Sequence, residues 1–364
     1  MSPRTLQINR LSPYRRLVGV GGIGTGLFFE LEGQHTLGRN ESRPGRLLNI
    51  RDYGKLHIII HYIAVLLGAK PDGSTFHIVP VGKVGEDDAG SRMIKEMAAA
   101  GMDVHYVESL PERPTQLSVC FQYPDGAGGN ITTSDSAASA LTSNDIDRCA
   151  GLLAAESFRC IALAAPEVPL ETRDRFLRLA TDHHAFRAAS FTSGEIVTAK
   201  EQGMLSRLDL LAMNQDEAGT LVKEPFDPTS PDLFLQRCAD LLCACQPHIQ
   251  LILSAGKHGA FAYAEGGWDY RPALDVPVRS TAGAGDALLA GVLTGLVAGM
   301  PFIKVDSSPK SAFGRLVESA FEFGVLLAAY TVTSPHTIHP DANLDTLLAF
   351  GHAHNMTLSG LVRI

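Results

Sequence analysis

Residues 279–296, RSTAGAGDALLAGVLTGL, decide how the rest of this 364-residue chain is read. A short β-capable run, Val276–Arg279, leads into Gly283-Ala284-Gly285, and Asp286 then enters an apolar segment, Ala287–Met300, long enough for a helix. Glycines at a strand-to-helix junction let successive backbone N–H groups converge, and the helix N-terminus adds its positive dipole end. Such a turn is a cradle for an anion. A carboxylate inside it opposes phosphate binding unless it has a task, such as taking a proton from an attacking hydroxyl. A plainer alternative also fits the local residues: a glycine-softened helix start with Asp286 as an N-terminal acid.

Composition narrows the classes. Apolar residues make up 45% and charged residues 19%, which describes a globular chain able to bury a large core. A net charge of −8 with no long basic run argues against a nucleic-acid partner. The six cysteines are scattered and read as reduced cytosolic thiols, and Cys243-Ala244-Cys245 lacks partner ligands at metal spacing. Arginines precede the apolar run Leu17–Phe29, as in a signal peptide, but that run holds five glycines and no cleavage pattern follows. A first buried strand fits better, no run reaches a membrane span, and a cytoplasmic location is the expectation.

The segment Ser280-Thr281-Ala282-Gly283-Ala284-Gly285-Asp286 resembles the carboxy-terminal signature of the PfkB/ribokinase family of carbohydrate kinases, Asp-Thr-x-Gly-Ala-Gly-Asp, with Ser280 departing at the first position. The resemblance implies a ribokinase-like three-layer α/β/α sandwich with a mostly parallel central sheet. It also implies one kinase domain over residues 1–364, with a small β lid from segments of about 26–50 and 112–135.

Taken in order, Leu17–Val20 reads as a strand running into Gly19-Val20-Gly21-Gly22-Ile23-Gly24. That spacing is the dinucleotide fingerprint, but the fingerprint needs a helix at its third glycine, and the glycine- and proline-broken residues that follow are none. By resemblance this turn borders a sugar pocket at Gly22, and Thr25 stands about where relatives place a hydroxyl-gripping Asp. Phe28–Asn49 reads as strands and turns outside the main sheet: a solvated loop, or a lid strand contributing substrate contacts through residues such as Asn40. Arg51–Gly68 has helical apolar spacing and a Gly C-cap. Only Gly54-Lys55 survives there of the family's Gly-Gly-x-x-x-Asn, so the substrate is not held in the commonest way. Phe76–Val81 reads as a strand, followed by a turn and a helix reaching Gly101. Leu117–Tyr123 and Asn130–Thr133 read as a hairpin across PDGAGG, resembling the lid sheet, where Asn130 is either a sugar-pocket Asn or a plain hairpin residue.

From Asp145 helices and strands alternate, as in a parallel sheet covered on both faces. Phe158–Ala165 and Leu208–Met213 read as strands and Glu171–His183 as a helix. Asn214-Gln215-Asp216-Glu217 then falls at a strand's carboxyl end, where open α/β sheets bind ligands. It is either a capping box or, by resemblance, the family's Asn-x-x-Glu, whose Glu places Mg²⁺ and phosphate through water. Leu251–Ser254 reads as a buried strand. The following turn lacks Walker spacing but resembles the family's Thr-x-Gly-x-x-Gly, with Ser254, Gly256 and Gly259 beside nucleotide phosphates and ribose. Ala260–Tyr263 and Trp268–Tyr270 read as a hairpin, and helix Phe313–Tyr330 as a wall of the adenine pocket. The tail with His352 and His354 reads as solvated.

What the resemblance implies is ATP- and Mg²⁺-dependent phosphorylation of a hydroxyl of a sugar, sugar derivative or nucleoside. Asp286 would be the general base, the amides of Gly283, Ala284 and Gly285 would stabilise the transferred phosphoryl, and Thr281 would join the cofactor side. Relatives often dimerise through their lids. Ser280 replaces the acid that helps hold a monovalent cation, and Pro335 is followed by His336-Thr337 rather than glycine, so weak or no K⁺ activation is expected. The opposing reading is a catalytically weak sugar- or nucleotide-binding sensor of the same fold.

Overall fold

The computed structural model describes residues 4–10, 12–33, 35–124, 128–304 and 316–358. Its strands are β1 (Arg16–Val20), β2 (Gly24–Leu31), β3 (Gly45–Tyr53), β4 (His77–Gly85), β5 (Val107–Leu110), β6 (Gln116–Gln122), β7 (Gly128–Thr132), β8 (Cys160–Ala164), β9 (Phe186–Ser190), β10 (Leu210–Asn214), β11 (Gln250–Ser254), β12 (Ala260–Ala264) and β13 (Gly267–Arg271), with two-residue strands at 316–317 and 357–358.

Nine strands form the main sheet in the order β13-β12-β11-β10-β9-β8-β1-β4-β5. All neighbours are parallel except the β11–β12–β13 edge, which turns antiparallel through the hairpin read from the sequence. Alternate residues along one strand enter opposite cores. Leu17, Ile78, Ile161, Leu210 and Ile252 pack on one face with helices Lys55–Leu67, Ala284–Ala298 and Ala320–Thr331. Val18, Val79, Ala162, Leu211 and Leu253 pack on the other with helices Leu170–Asp182 and Asp232–Cys245. Strands apolar on both faces need helices on both, which makes three layers. Among the described residues, no helix is long and apolar enough to cross a membrane.

A second sheet, in the order β3-β2-β6-β7, stands apart from the first and is built from the two segments expected as the lid. β2 pairs with β6 in parallel and with β3 antiparallel, and β6 pairs antiparallel with β7. Residues 125–127 of the turn between β6 and β7 lie outside the described residues.

Several expected bounds move, each for a local reason. The helix expected from Arg51 begins at Lys55, because Asp52 and Tyr53 are held in the ladder of the second sheet opposite Gly26 and Thr25; its C-cap is Gly68, at φ 63°. Val276–Arg279 is no strand: Pro277 has no N–H, and the run's one backbone bond is Arg279 N–H to the Val332 carbonyl at 2.7 Å. The motif helix starts earlier, at Ala284, and ends at Ala298 before Gly299. The next helix is Ala320–Thr331, and residues 313–315 of its expected range lie outside the described ones. Residues 344–353 are not a solvated tail but a helix that buries Leu344 and Leu347 and carries His352 in its last turn. Strand β9 and helix Asp232–Cys245 have no counterpart in the sequence reading.

The motif helix is fixed by an unusually close crossing. A Cβ on Gly291 would lie 2.6 Å from the Gly324 Cα, so the two helix backbones touch at paired glycines. Gly291→Val is therefore expected to destabilise by about 1–3 kcal/mol through overpacking. Gly151→Ala, where a Cβ meets nothing within 4 Å, is expected to hold or gain stability. Urea unfolding of the two variants measures both.

Candidate active site

At the carboxyl ends of the central strands lies a cavity of about 630 Å³. It is lined by Lys55, Asn214, Glu217, Ser254, Gly256, Gly259, Thr281, Gly283, Ala284, Gly285 and Asp286, among others. The residues expected at the catalytic and cofactor positions, which run from Asn214 to Asp286, are thus brought together with Lys55, more than a hundred residues before them. The inner wall is apolar. Val276 and Val278 come from the irregular segment, Leu288 and Leu289 from the motif helix, and Val325, Ala328 and Ala329 from helix Ala320–Thr331, the wall expected there.

Gly283 caps the motif helix at φ 80°, and a Cβ on it would sit 2.5 Å from the Thr337 carbonyl oxygen. Both the backbone angle and the space therefore call for glycine. The Ala284 N–H donates to the Thr281 carbonyl at 3.2 Å, so one of the three cradle amides is engaged within the turn. Among the described residues, no protein acceptor meets the N–H groups of Gly283, Gly285 or Asp286. A Cβ on Gly285 would meet nothing within 4 Å.

Asp286 occupies the third helical position, where an acid commonly reaches back to cap the helix. Among the described residues, three other helices have that arrangement, with Asp145, Glu217 and Glu322 as the acids. Asp286 does not: its helix has no side-chain cap. Its nearest charged partner is Lys55 Nζ, 3.9 Å from Oδ2. Both side chains keep some exposure, 14% for Asp286 and 39% for Lys55, so the pair opens onto the cavity rather than being sealed as a structural salt link. Burial pushes the Asp286 carboxyl above the usual range, and Lys55 partly offsets this.

Lys55 starts its helix at an N-cap, Gly54, that has no side chain to offer. The cap comes from Glu167, whose carboxylate accepts the Lys55 N–H at 3.0 Å. Glu167 follows β8 and holds a left-handed backbone, φ 76°, a strained state for a non-glycine residue. The Lys55 ammonium is held charged above all by Asp286, and then by Glu167, Glu217 and Asp52. One ammonium thus faces four carboxylates. Burial raises the pKa of every one of them, Glu217 to about 7.

Glu217 also does what its plain reading requires. Its Oε2 accepts the Asn214 N–H at 2.8 Å, and Asn214 Oδ1 accepts from the Asp216 and Glu217 N–H groups. Among the described residues, no group of three or more His, Cys, Asp or Glu side chains could hold a metal ion by itself, Cys243 and Cys245 included.

The substrate-side positions divide. Gly22 and Gly54 pack at the rim, since a Cβ on Gly22 would strike Glu167 and one on Gly54 the Gly22 carbonyl. Asn40 lies in an exposed turn at φ 64°, and Asn130 is exposed on β7 opposite Cys120; neither lines the cavity. Thr25 faces elsewhere, its hydroxyl accepting from Arg92 Nη2 at 2.8 Å. Ser280 turns inward on its own segment, its Oγ accepting the Ala282 N–H at 3.2 Å. Sequence reasoning missed Glu167 and Asp52. For Glu167 a signal existed, an acid just beyond a strand's carboxyl end. For Asp52 there was none, because its place depends on cross-strand register.

A profile of the pfkB family carbohydrate kinases matches residues 66–343. The match begins beyond the first lid strands and Lys55, the part of the chain that departs most from the family's signatures. Three solved structures share the fold. They are a ribokinase from Cryptococcus neoformans var. grubii serotype A in complex with ADP (TM-score 0.67, 19% identity, 91% of this chain and 98% of that one), an Arabidopsis thaliana ribokinase complexed with ribose and ATP (0.66, 17%, 93% and 98%), and a Burkholderia thailandensis nucleoside kinase in complex with inosine (0.68, 17%, 94% and 99%). The mostly parallel sheet between helices is therefore the ribokinase fold, and this phosphotransferase belongs to the pfkB family of carbohydrate kinases.

Proposed function

We propose that the chain, acting as one kinase domain with its lid, transfers the γ-phosphoryl group of ATP to a hydroxyl of a sugar, sugar derivative or nucleoside, with Asp286 as general base. The observation that carries this is the uncapped Asp286 carboxylate, open to the cavity beside free helix-start amides and 3.9 Å from Lys55 Nζ. The ADP, ATP, ribose and inosine named with the structural neighbours support both substrates.

The acceptor hydroxyl gives its proton to Asp286 as its oxygen bonds to the γ-phosphorus, the bond from that phosphorus to the β-bridging oxygen breaks, and ADP leaves. The Gly283 and Gly285 amides, with the positive end of the motif helix, stabilise the charge on the transferred group. Asn214, Ser254, Gly256, Gly259 and Thr281 border the phosphates and ribose, and the apolar wall takes the base. The donor set would fit Mg²⁺ held through water and phosphate oxygens, with Glu217 the residue that would hold it, because among the described residues the site offers a surplus of buried carboxylate and no all-protein cage. Bound there, Mg²⁺ neutralises developing phosphate charge. A sensor reading draws support from the family match starting at residue 66, which leaves β2, β3 and Lys55 outside it.

ATP turnover with an identified acceptor separates kinase from sensor. Asp286→Asn should then lower kcat by about 10²–10⁴-fold. The base must be ionised to act, and burial raises its pKa, so the acid limb of kcat/KM should lie above the ordinary Asp range. Lys55→Met removes the cation that opposes this rise and should move the limb to higher pH; an unmoved limb assigns the titration to another group. Because Ser280 Oγ is engaged by Ala282 and Thr337 N–H donates to the Arg51 carbonyl, turnover in K⁺ should not exceed that in Na⁺. The outer face of the lid exposes Leu27 (39%), Leu47 (57%) and Ile131 (68%). We infer that it pairs with a second copy, so light scattering should find a dimer that Ile131→Lys dissociates.

A further inference from the structure

The two helices that begin at the active site end on a common support. At about 1.5 Å per residue, helices Lys55–Leu67 and Ala284–Ala298 carry their chains about 20 Å away from the cavity. Each stops at a glycine in the left-handed region, Gly68 at φ 63° and Gly299 at φ 91°. The last carbonyls of a helix have no partner within it. Here residues 4–9, which precede β1, supply a donor to each. The Leu6 N–H donates to the Leu66 carbonyl at 2.9 Å, and the Asn9 N–H to the Ala298 carbonyl at 3.3 Å. Side chains close the same contacts. A Cβ on Gly68 would lie 2.6 Å from Thr5 Cγ2, and one on Gly299 2.7 Å from Asn9 Cβ. Leu6 is buried in the core beneath. The Arg4 guanidinium and N–H both bond to Asp345, in the first turn of helix Leu344–Ala353.

Both helices bury apolar side chains in one core, among them Ile59, Ile63, Leu289 and Val292. Apolar attraction is non-directional, and by itself it specifies position along a helix axis only loosely. Among the described residues, the polar link between the two helices is the pair at their starts, Lys55 Nζ and Asp286 Oδ2 at 3.9 Å. That is longer than a hydrogen bond, so the pair follows the helices rather than locking them. Thr294, well along the motif helix, turns back to its own Ala290 carbonyl at 2.7 Å. Each helix is separately joined to helix Ala320–Thr331. The motif helix touches it through Gly291 and Gly324, and Lys55–Leu67 reaches it through Tyr62, whose hydroxyl accepts from Thr331 Oγ1 at 2.9 Å. Residues 4–9 join the two directly, main chain to main chain.

Resting on the kinase reading above, we propose that residues 4–9 are a positioning strap: by tying the far ends of these helices together, Leu6 and Asn9 set how far each reaches into the site, and hence the separation of the Lys55 ammonium from the Asp286 carboxylate. Leu6 and Asn9 are positioning residues that act through the two helices and touch no substrate. Loosening the strap weakens the contact between Lys55 and Asp286. Lys55 favours the ionised base against the burial that raises its pKa, so a loosened base needs a higher pH to ionise, the same direction as Lys55→Met. A strap that served stability alone would leave that pH unmoved.

The test sets the full-length enzyme, with MgATP and its accepted acceptor, beside three variants. Asn9→Pro lacks the N–H bonded to Ala298, Gly299→Ala carries a Cβ that strikes Asn9, and the third deletes residues 1–9. Leu153→Ala, in the core on the opposite face of the sheet, controls for lost stability. Urea midpoints, kcat and the pH profile of kcat/KM are measured for each. All four should lower the midpoint. The strap variants should also move the acid limb to higher pH, by part of the about 1–3 pH units that a neighbouring cation supplies. They should lower kcat by up to about a hundredfold, the cost of misplacing a reacting group by about 1 Å. Leu153→Ala should move neither. In combination with Lys55→Met the strap variants should shift the limb less than they do alone, because the contact they loosen is already gone. An unmoved limb in both Asn9→Pro and Gly299→Ala, or full additivity with Lys55→Met, overturns the proposal and leaves the strap a stabilising contact. Should the deletion fail to fold, those two point variants decide. If Asp286→Asn turns over normally, it is the assignment of the base that falls.

Discussion

A single ammonium group holds the active end of this molecule together. Lys55 faces four partly desolvated carboxylates, and without it their mutual repulsion in a low-dielectric pocket would force protonation or separation. Its position is fixed from both sides. Its backbone N–H is bonded to Glu167, and its side chain leans on Asp286. Two helices begin here, at Lys55 and at Ala284, with neither N-cap glycine supplying a side chain. Their positive ends converge on the region where the carboxylates collect. The negative charge is thus set against two helix termini and one lysine, which favour the ionised form of Asp286 against the burial that raises its pKa.

The layered fold explains how such distant residues meet. Glu167, Asn214 and Ser254 come from the carboxyl ends of β8, β10 and β11, the edge where open parallel sheets bind ligands. The motif helix must then lie over that edge at a fixed depth. The glycine pair Gly291 and Gly324 sets this depth by letting two backbones touch, and Thr337 against Gly283 sets the position of the turn itself. The loop carrying Thr337 also bonds to Arg51 and Tyr53 at the foot of the lid, so turn and lid share one anchor.

Legibility in the sequence followed how local each signal was. Gly283–Asp286 could be read because the chemistry lies in consecutive residues. The central strands could be read because a strand buried on both faces is a near-continuous apolar run. Arg51–Tyr53 was drawn into the helix because its apolar spacing continues the helical pattern, and only pairing with β2 shows it to be strand. β9, FRAAS, carries too little apolar character to stand out, and in Asp232–Cys245 the cysteines draw attention away from a helical spacing that was present. Asp52 was beyond reach, since its place depends on which residue of β2 it faces.

That last case bears on how the space over a glycine in a sheet is filled. In a β-lid the side chain filling a given volume can come from either of two facing strands, provided the other gives way. Here Gly26 gives way and Asp52 fills, from a strand that the local sequence pattern does not single out. The strand that carries Asp52 is tied through Arg51 and Tyr53 to the loop of Thr337, and so to the turn at Gly283. The second sheet and the position of Asp286 are therefore set by one connected piece of structure, and a shift of that sheet moves both.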